Sequence, residues 1–178
     1  MTHLNVEIKA KYEDLAKAED ILMKEGAVLK GTDHQTDTYF DASNFRLKLR
    51  EGNIENALIS YDRNDLKGPK DSVVDLYKPA DIAQLKVILK KTVGVKVVVE
   101  KERKIFFIEN VKFHLDEVKD LGNFVEIEAI DKEGSLNKEK LTEQCKRYKT
   151  LLDIKEEDLI ARSYSDLLIE KIDNEARG

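Results

Sequence analysis

Asn5, Glu7, Lys9 and Lys11 occupy alternate positions near the start of the chain, separated by Val6, Ile8 and Ala10. Successive side chains of a strand point to opposite faces, so this run sets a carboxylate and two ammonium groups in one row with an apolar row behind them. An acid beside two bases on one face suits a polyanion held together with a metal ion. The spacing recurs along the chain. Arg46, Lys48 and Arg50 alternate with Leu47 and Leu49, and Lys101 and Arg103 follow the apolar run Val95, Val97, Val98, Val99. Asp116 follows Phe113 and Leu115, and Glu126 and Glu128 bracket Ile127.

Such rows need strands to hold them. Period-two patterning predicts strands at about 4–11, 33–41, 44–51, 56–63, 72–78, 95–109, 111–119 and 123–131, the second with an alternative start near Ala27. Short turn-like links at Glu51-Gly52-Asn53, Glu109-Asn110 and Asp120-Leu121-Gly122-Asn123 favour antiparallel neighbours, because parallel pairs need longer crossovers. Helices are expected over about 13–25 with Gly26 as stop, over 79–94 with Pro79 near the first turn and Gly94 as stop, over 137–152, and in the tail after Asp158. Eight strands are enough to close a barrel. If the apolar rows face external helices, the charged rows face inward, the reverse of an ordinary filled barrel. Burying charge is costly unless each group is paired, hydrated or bound to a ligand, so a charged lumen implies function.

The 178 residues suit one domain, taken as 1–178. With 38% charged residues and a net charge of −5, the molecule as a whole has no attraction for nucleic acid or anionic membranes, so an anion site must be a local concentration of Lys and Arg. The single cysteine, Cys145, excludes an intrachain disulfide and fits a reducing compartment. It sits in a helical pattern and reads as a small packed residue. The N-terminus carries no apolar signal segment and no run approaches the roughly 20 residues of a membrane span, so a cytoplasmic protein is expected.

The quoted rows belong to a longer resemblance. NVEIKAK, DTYFD, RLKLR, VEKERKIFFI, FHLDEVKDLGNFVEIE and RSYSDLL follow in order over nearly the whole chain and resemble the CYTH, or triphosphate tunnel metalloenzyme, superfamily, most of all its class IV adenylyl cyclases. The hallmark is ExExK on the first strand of an eight-stranded antiparallel tunnel; here Asn5 stands at the first position. The resemblance implies an α+β fold with helices outside the barrel, and a triphosphate bound with Mg²⁺ or Mn²⁺. By motif match the metal carboxylates are Glu7, Asp116, Glu126 and Glu128. The phosphate binders are Lys9, Lys11, Arg46, Lys48, Arg50, Arg63, Lys101 and Arg103. Hard cations take oxygen ligands and share them with phosphates, which agrees with this division. An amide oxygen at Asn5 can still ligate such a cation but brings no charge.

Two reactions fit one such site. The ribose 3′-oxygen of ATP can attack the α-phosphorus, giving cyclic AMP and pyrophosphate, or water can attack the terminal phosphorus of inorganic or thiamine triphosphate. Cyclisation is the favoured expectation, because the later motifs resemble the cyclases in particular. No residue declares itself a general base; a lysine with a lowered pKa among cations, Lys9 or Lys11, is the candidate. A non-catalytic nucleotide- or polyphosphate-binding module is the alternative of another class, with Asn5 in its favour. Pairing as a homodimer stays open. Among the remaining residues, His114 is expected on the face opposite to the site as a structural histidine, Tyr61 on the site face, Lys67 and Lys70 at a barrel rim, Arg162 reaching back to a tunnel mouth, and Tyr164 and Leu167 docking the tail.

Overall fold

Apolar and polar residues that alternate along the chain separate into the two faces of a curved sheet. A computed structural model describes residues 2–43, 45–62, 69–131 and 134–178. Among the described residues the strands are β1 (Thr2–Lys11), β2 (Val28–Phe40), β3 (Phe45–Glu51), β4 (Ala57–Asp62), β5 (Lys70–Tyr77), β6 (Val95–Ile108), β7 (Val111–Val118) and β8 (Gly122–Asp131). The helices are α1 (Leu15–Lys24), α2 (Ile82–Thr92), α3 (Lys138–Leu151) and α4 (Tyr164–Arg177). All strand pairs are antiparallel and the sheet closes as β1-β5-β4-β3-β2-β6-β7-β8, with β8 returning to β1. The expected eight-stranded antiparallel barrel with external helices is therefore the fold. Among the described residues no helix is long and apolar enough to cross a membrane.

The apolar rows do turn outward. Val6, Ile8 and Ala10 of β1, Phe113 and Leu115 of β7, and Val125, Ile127 and Ala129 of β8 form one core with Ala18 and Leu22 of α1 and Leu141, Cys145 and Tyr148 of α3. Each fully buried Leu, Ile or Phe contributes about 1.5–3 kcal/mol. Cys145 is packed there as expected, its Sγ 3.2 Å from the Val6 carbonyl. A second core forms where Tyr164 and Leu168 of α4 meet Tyr39, Val97, Val99, Val118 and Phe124. Those five strand residues share the register of the lumen face, so α4 packs into one end of the barrel.

The helices begin where side-chain oxygens can satisfy free N–H groups. Asp14, Asp81 and Asn137 accept from Lys17, Gln84 and Lys140, at 3.0, 2.9 and 2.9 Å. Pro79 accordingly precedes α2, because the Asp81 cap rather than proline sets its first turn. Gly94, at φ 89°, ends it as expected.

Candidate active site in the barrel lumen

Asp37 stands at the centre of the basic rows. It is fully buried and directly opposite Arg50 in the β2–β3 register. Arg50 donates to it through Nε and NH2, both at 2.8 Å, Lys48 Nζ approaches to 3.0 Å and Lys101 Nζ to 2.8 Å. Burial pushes the Asp37 carboxyl up, but Arg50, Lys101 and Lys48 outweigh it and hold the group well below the usual range. One carboxylate thus keeps three cations from β3 and β6 close together. For Lys101 the balance is reversed: burial lowers its pKa to about 7, Asp37 opposes the change, and Arg50 and Arg103 add to it.

A second group joins β1, β6, β7 and β8. Arg103 donates to both oxygens of Asp116, its Nε at 2.6 Å, and to Glu126 at 2.9 Å. Tyr164 OH donates to Asp116 at 2.7 Å. Both Asp116 oxygens are thus committed to fixing Arg103 and the tail, and burial of its carboxyl is outweighed by Arg103, which lowers its pKa. Glu126 also pairs with Lys9 at 3.1 Å, while Lys9 Nζ lies 4.1 Å above the Tyr164 ring. His114 Nδ1 is 2.9 Å from Glu126 Oε2. Its pKa is driven down to about 3 by burial and by Arg103 and Lys112, so it is neutral at pH 7. Nδ1 then carries the proton donated to Glu126, and Nε2 is buried without a partner among the described residues. His114 shares the lumen face with Asp116, contrary to expectation, because an offset of two residues preserves the face of a strand.

Glu7 and Glu128 face each other across the β1–β8 pair. Asn5 Nδ2 donates to Glu128 Oε1, leaving Asn5 Oδ1 buried and without a partner among the described residues. Burial raises the Glu128 pKa to about 7; Lys112 opposes this, while Glu7, Glu126 and Glu55 add to it. Among the described residues no three His, Cys, Asp or Glu side chains already converge as a metal cluster. The donor chemistry nevertheless fits a hard divalent cation: an orphaned amide oxygen and carboxylates that repel one another both gain from such an ion. Glu7, Glu126 and Glu128, with Asn5 Oδ1, are the residues that would hold it.

The two ends of the lumen are built differently. At one, the β3–β4 loop folds inward: Ile54 N and Glu55 N donate to Asp33 at 2.8 and 2.9 Å, and Glu55 accepts from Arg50 and Lys112. A Cβ at Gly52 would lie 2.6 Å from Asp33 Oδ1, so this close approach requires glycine. At the other end, Arg46 donates to Ser163 Oγ and Asp166 Oδ2, both at 2.6 Å. Ser163 and Asp166 form the capping box of α4, so a cation of the β3 row grips the start of the plugging helix.

The structure therefore brings Glu7, Lys9, Lys48, Arg50, Lys101, Arg103, Asp116, Glu126 and Glu128 to one lumen. Arg46 is there but turned to α4, Lys11 is exposed at the end of β1, and Arg63 and Lys67 lie outside the described residues, as does the Lys70 side chain. Arg162 pairs with Glu170 instead of reaching the mouth. Tyr164 docks the tail as expected and Tyr61 has the lumen register. Asp37, Glu55, Gln35 and Lys112 were not anticipated. The alternation Asp33, Gln35, Asp37, Tyr39 carried the signal for β2, but Glu55 sits in a loop with no period to reveal it.

Comparison with known proteins matches residues 3–164 to the CYTH domain. A curated Methanocaldococcus jannaschii protein, named provisionally as an adenylate cyclase, is 29% identical over 92% of this chain and 98% of its own length. The solved PH1012 protein of Pyrococcus horikoshii superposes with a TM-score of 0.79 at 24% identity, covering 92% of this chain and 98% of its own. A Hippeastrum protein, described provisionally as an adenylyl cyclase and as revealing a dominant triphosphatase activity, superposes at 0.60 with 14% identity over 94% of each chain.

Proposed function

The chain belongs to the CYTH family, and we propose that residues 1–178 act as one domain that binds a triphosphate with Mg²⁺ or Mn²⁺ and converts ATP to cyclic AMP and pyrophosphate. One observation carries the reading: the basic rows of β1, β3 and β6 and the carboxylates of β1 and β8 line a single closed lumen. The provisional name of the Methanocaldococcus relative supports cyclisation. The activity described for the Hippeastrum protein supports a second reading, hydrolysis of a triphosphate in the same lumen.

Lys48, Arg50 and Lys101 are held as one cluster by Asp37 and meet the phosphate chain, while Arg103, locked by Asp116, and Lys9, steered by Glu126, face it from the adjoining wall. Such donors need little reorganisation as charge moves to the leaving phosphates. Lys11 meets the polyanion at the end of β1. In cyclisation a bond forms between the 3′-oxygen and the α-phosphorus, the bond from that phosphorus to pyrophosphate breaks, and the hydroxyl proton departs. Lys101, whose pKa burial lowers to about 7, can take up or release a proton there. The bound divalent cation would supply charge neutralisation along the phosphates.

Purified protein incubated with ATP, tripolyphosphate or thiamine triphosphate, each with Mg²⁺ or Mn²⁺, separates the readings by product. Cyclic AMP with pyrophosphate supports cyclisation, and orthophosphate supports hydrolysis. Binding without product sinks both and leaves a binding module. Glu7→Ala and Glu126→Gln should abolish metal-dependent turnover; unchanged turnover in either refutes the site.

A further inference from the structure

We propose that the lumen faces of β4 and β5 form a subsite for the organic part of the triphosphate, an aromatic heterocycle, with Ile59 and Tyr61 setting specificity; this rests on the triphosphate reading above. The register puts Ala57, Ile59 and Tyr61 opposite Arg50, Lys48 and Arg46, so they share the lumen face of the basic row. Leu76 lies opposite Ile59 and Val74 opposite Tyr61, which continues that face onto β5. None of these five side chains carries a charge, in contrast to the walls contributed by β1, β3, β7 and β8.

Ala57 and Ile59 are buried, at 4% and 8% exposure, yet they belong to neither hydrophobic core. Tyr61, Val74 and Leu76 are half-buried. Lys48 Nζ lies 5.4 Å from the Tyr39 ring centre and 5.9 Å from that of Tyr61, so the basic row runs directly into an aromatic surface. The strip stands one and two strand spacings, about 5 and 10 Å, from the β3 cations, within reach of a group covalently attached to phosphates held there. A bare polyphosphate gains nothing from apolar wall, where its oxygens lack donors. A flat heterocycle gains from both apolar burial and ring contact.

The test is calorimetric titration with ATP and with tripolyphosphate in calcium, a cation that holds phosphates in looser geometry than magnesium. The wild type should bind ATP at least tenfold more tightly than tripolyphosphate, and Ile59→Thr should cut that ratio fivefold or more. Thermal melting checks that the variant folds; if it does not, Val74→Thr takes its place with the same expectation. Tripolyphosphate binding as tightly as ATP, or a ratio unchanged in a folded variant, overturns the subsite and leaves the triphosphate reading standing. Binding of neither compound overturns both.

Discussion

Arg103 and Asp116 lie directly opposite each other in the β6–β7 register and form a two-pronged, fully buried ion pair. Removing one partner of such a pair strands the other charge, a cost of about 3–5 kcal/mol. Asp116→Ala should therefore lower unfolding stability by about that amount in urea titration. Arg103→Met combined with Asp116→Leu should recover most of the loss while abolishing activity. A loss below about 1 kcal/mol for Asp116→Ala would mean that the pair does not anchor Arg103.

Glu128 has its pKa raised from 4.5 to about 7. The folded state then holds a proton more tightly than the unfolded chain, so this group's contribution to stability is present below about pH 4.5 and is lost as pH rises through about 7. Metal binding needs the carboxylate, so Mn²⁺ should displace a proton and bind more tightly at pH 7.5 than at pH 5.5. Glu128→Gln should flatten both profiles, read by metal titration and by thermal melting between pH 4.5 and 7. Lys101 contributes with the opposite sign, because its lowered pKa makes stability build as pH rises above about 7.

Asn5 Nδ2 donates a hydrogen bond to Glu128, and its Oδ1 has no partner among the described residues. Asn5→Glu should replace that hydrogen bond by repulsion between carboxylates. The expected result is a lower melting temperature without metal, recovered on adding Mn²⁺, and a metal affinity increased at least fivefold. Equal metal affinity in the two proteins would place the cation away from Asn5.

Arg46 reaches Ser163 and Asp166 at the start of α4. Ser163→Ala removes the N-cap and should cost about 1 kcal/mol. It should also raise amide exchange in α4 while that of α3 stays unchanged, because the lost bonds hold only the plugging helix. Uniform exchange across both helices would show that α4 opens only with the whole barrel.

Sequence alone located the strands and helices and marked the polar rows of β1, β3, β6 and β8, because alternation and capping are local. Asp14, Asp81 and Asn137 mark helix starts by residue type, and Glu7, Lys9, Arg50 and Arg103 share their rows by spacing. Only the tertiary structure decided partners. Asp37 and Lys101 lie 64 residues apart, and their meeting depends on closure of the β2–β6 pair. Closure also turned Arg46 toward α4, brought Glu55 into the lumen from a loop, and buried Lys101 so that its pKa falls to about 7. A strand's period fixes the face a side chain occupies; burial and charge pairing depend on strands that the chain visits much later.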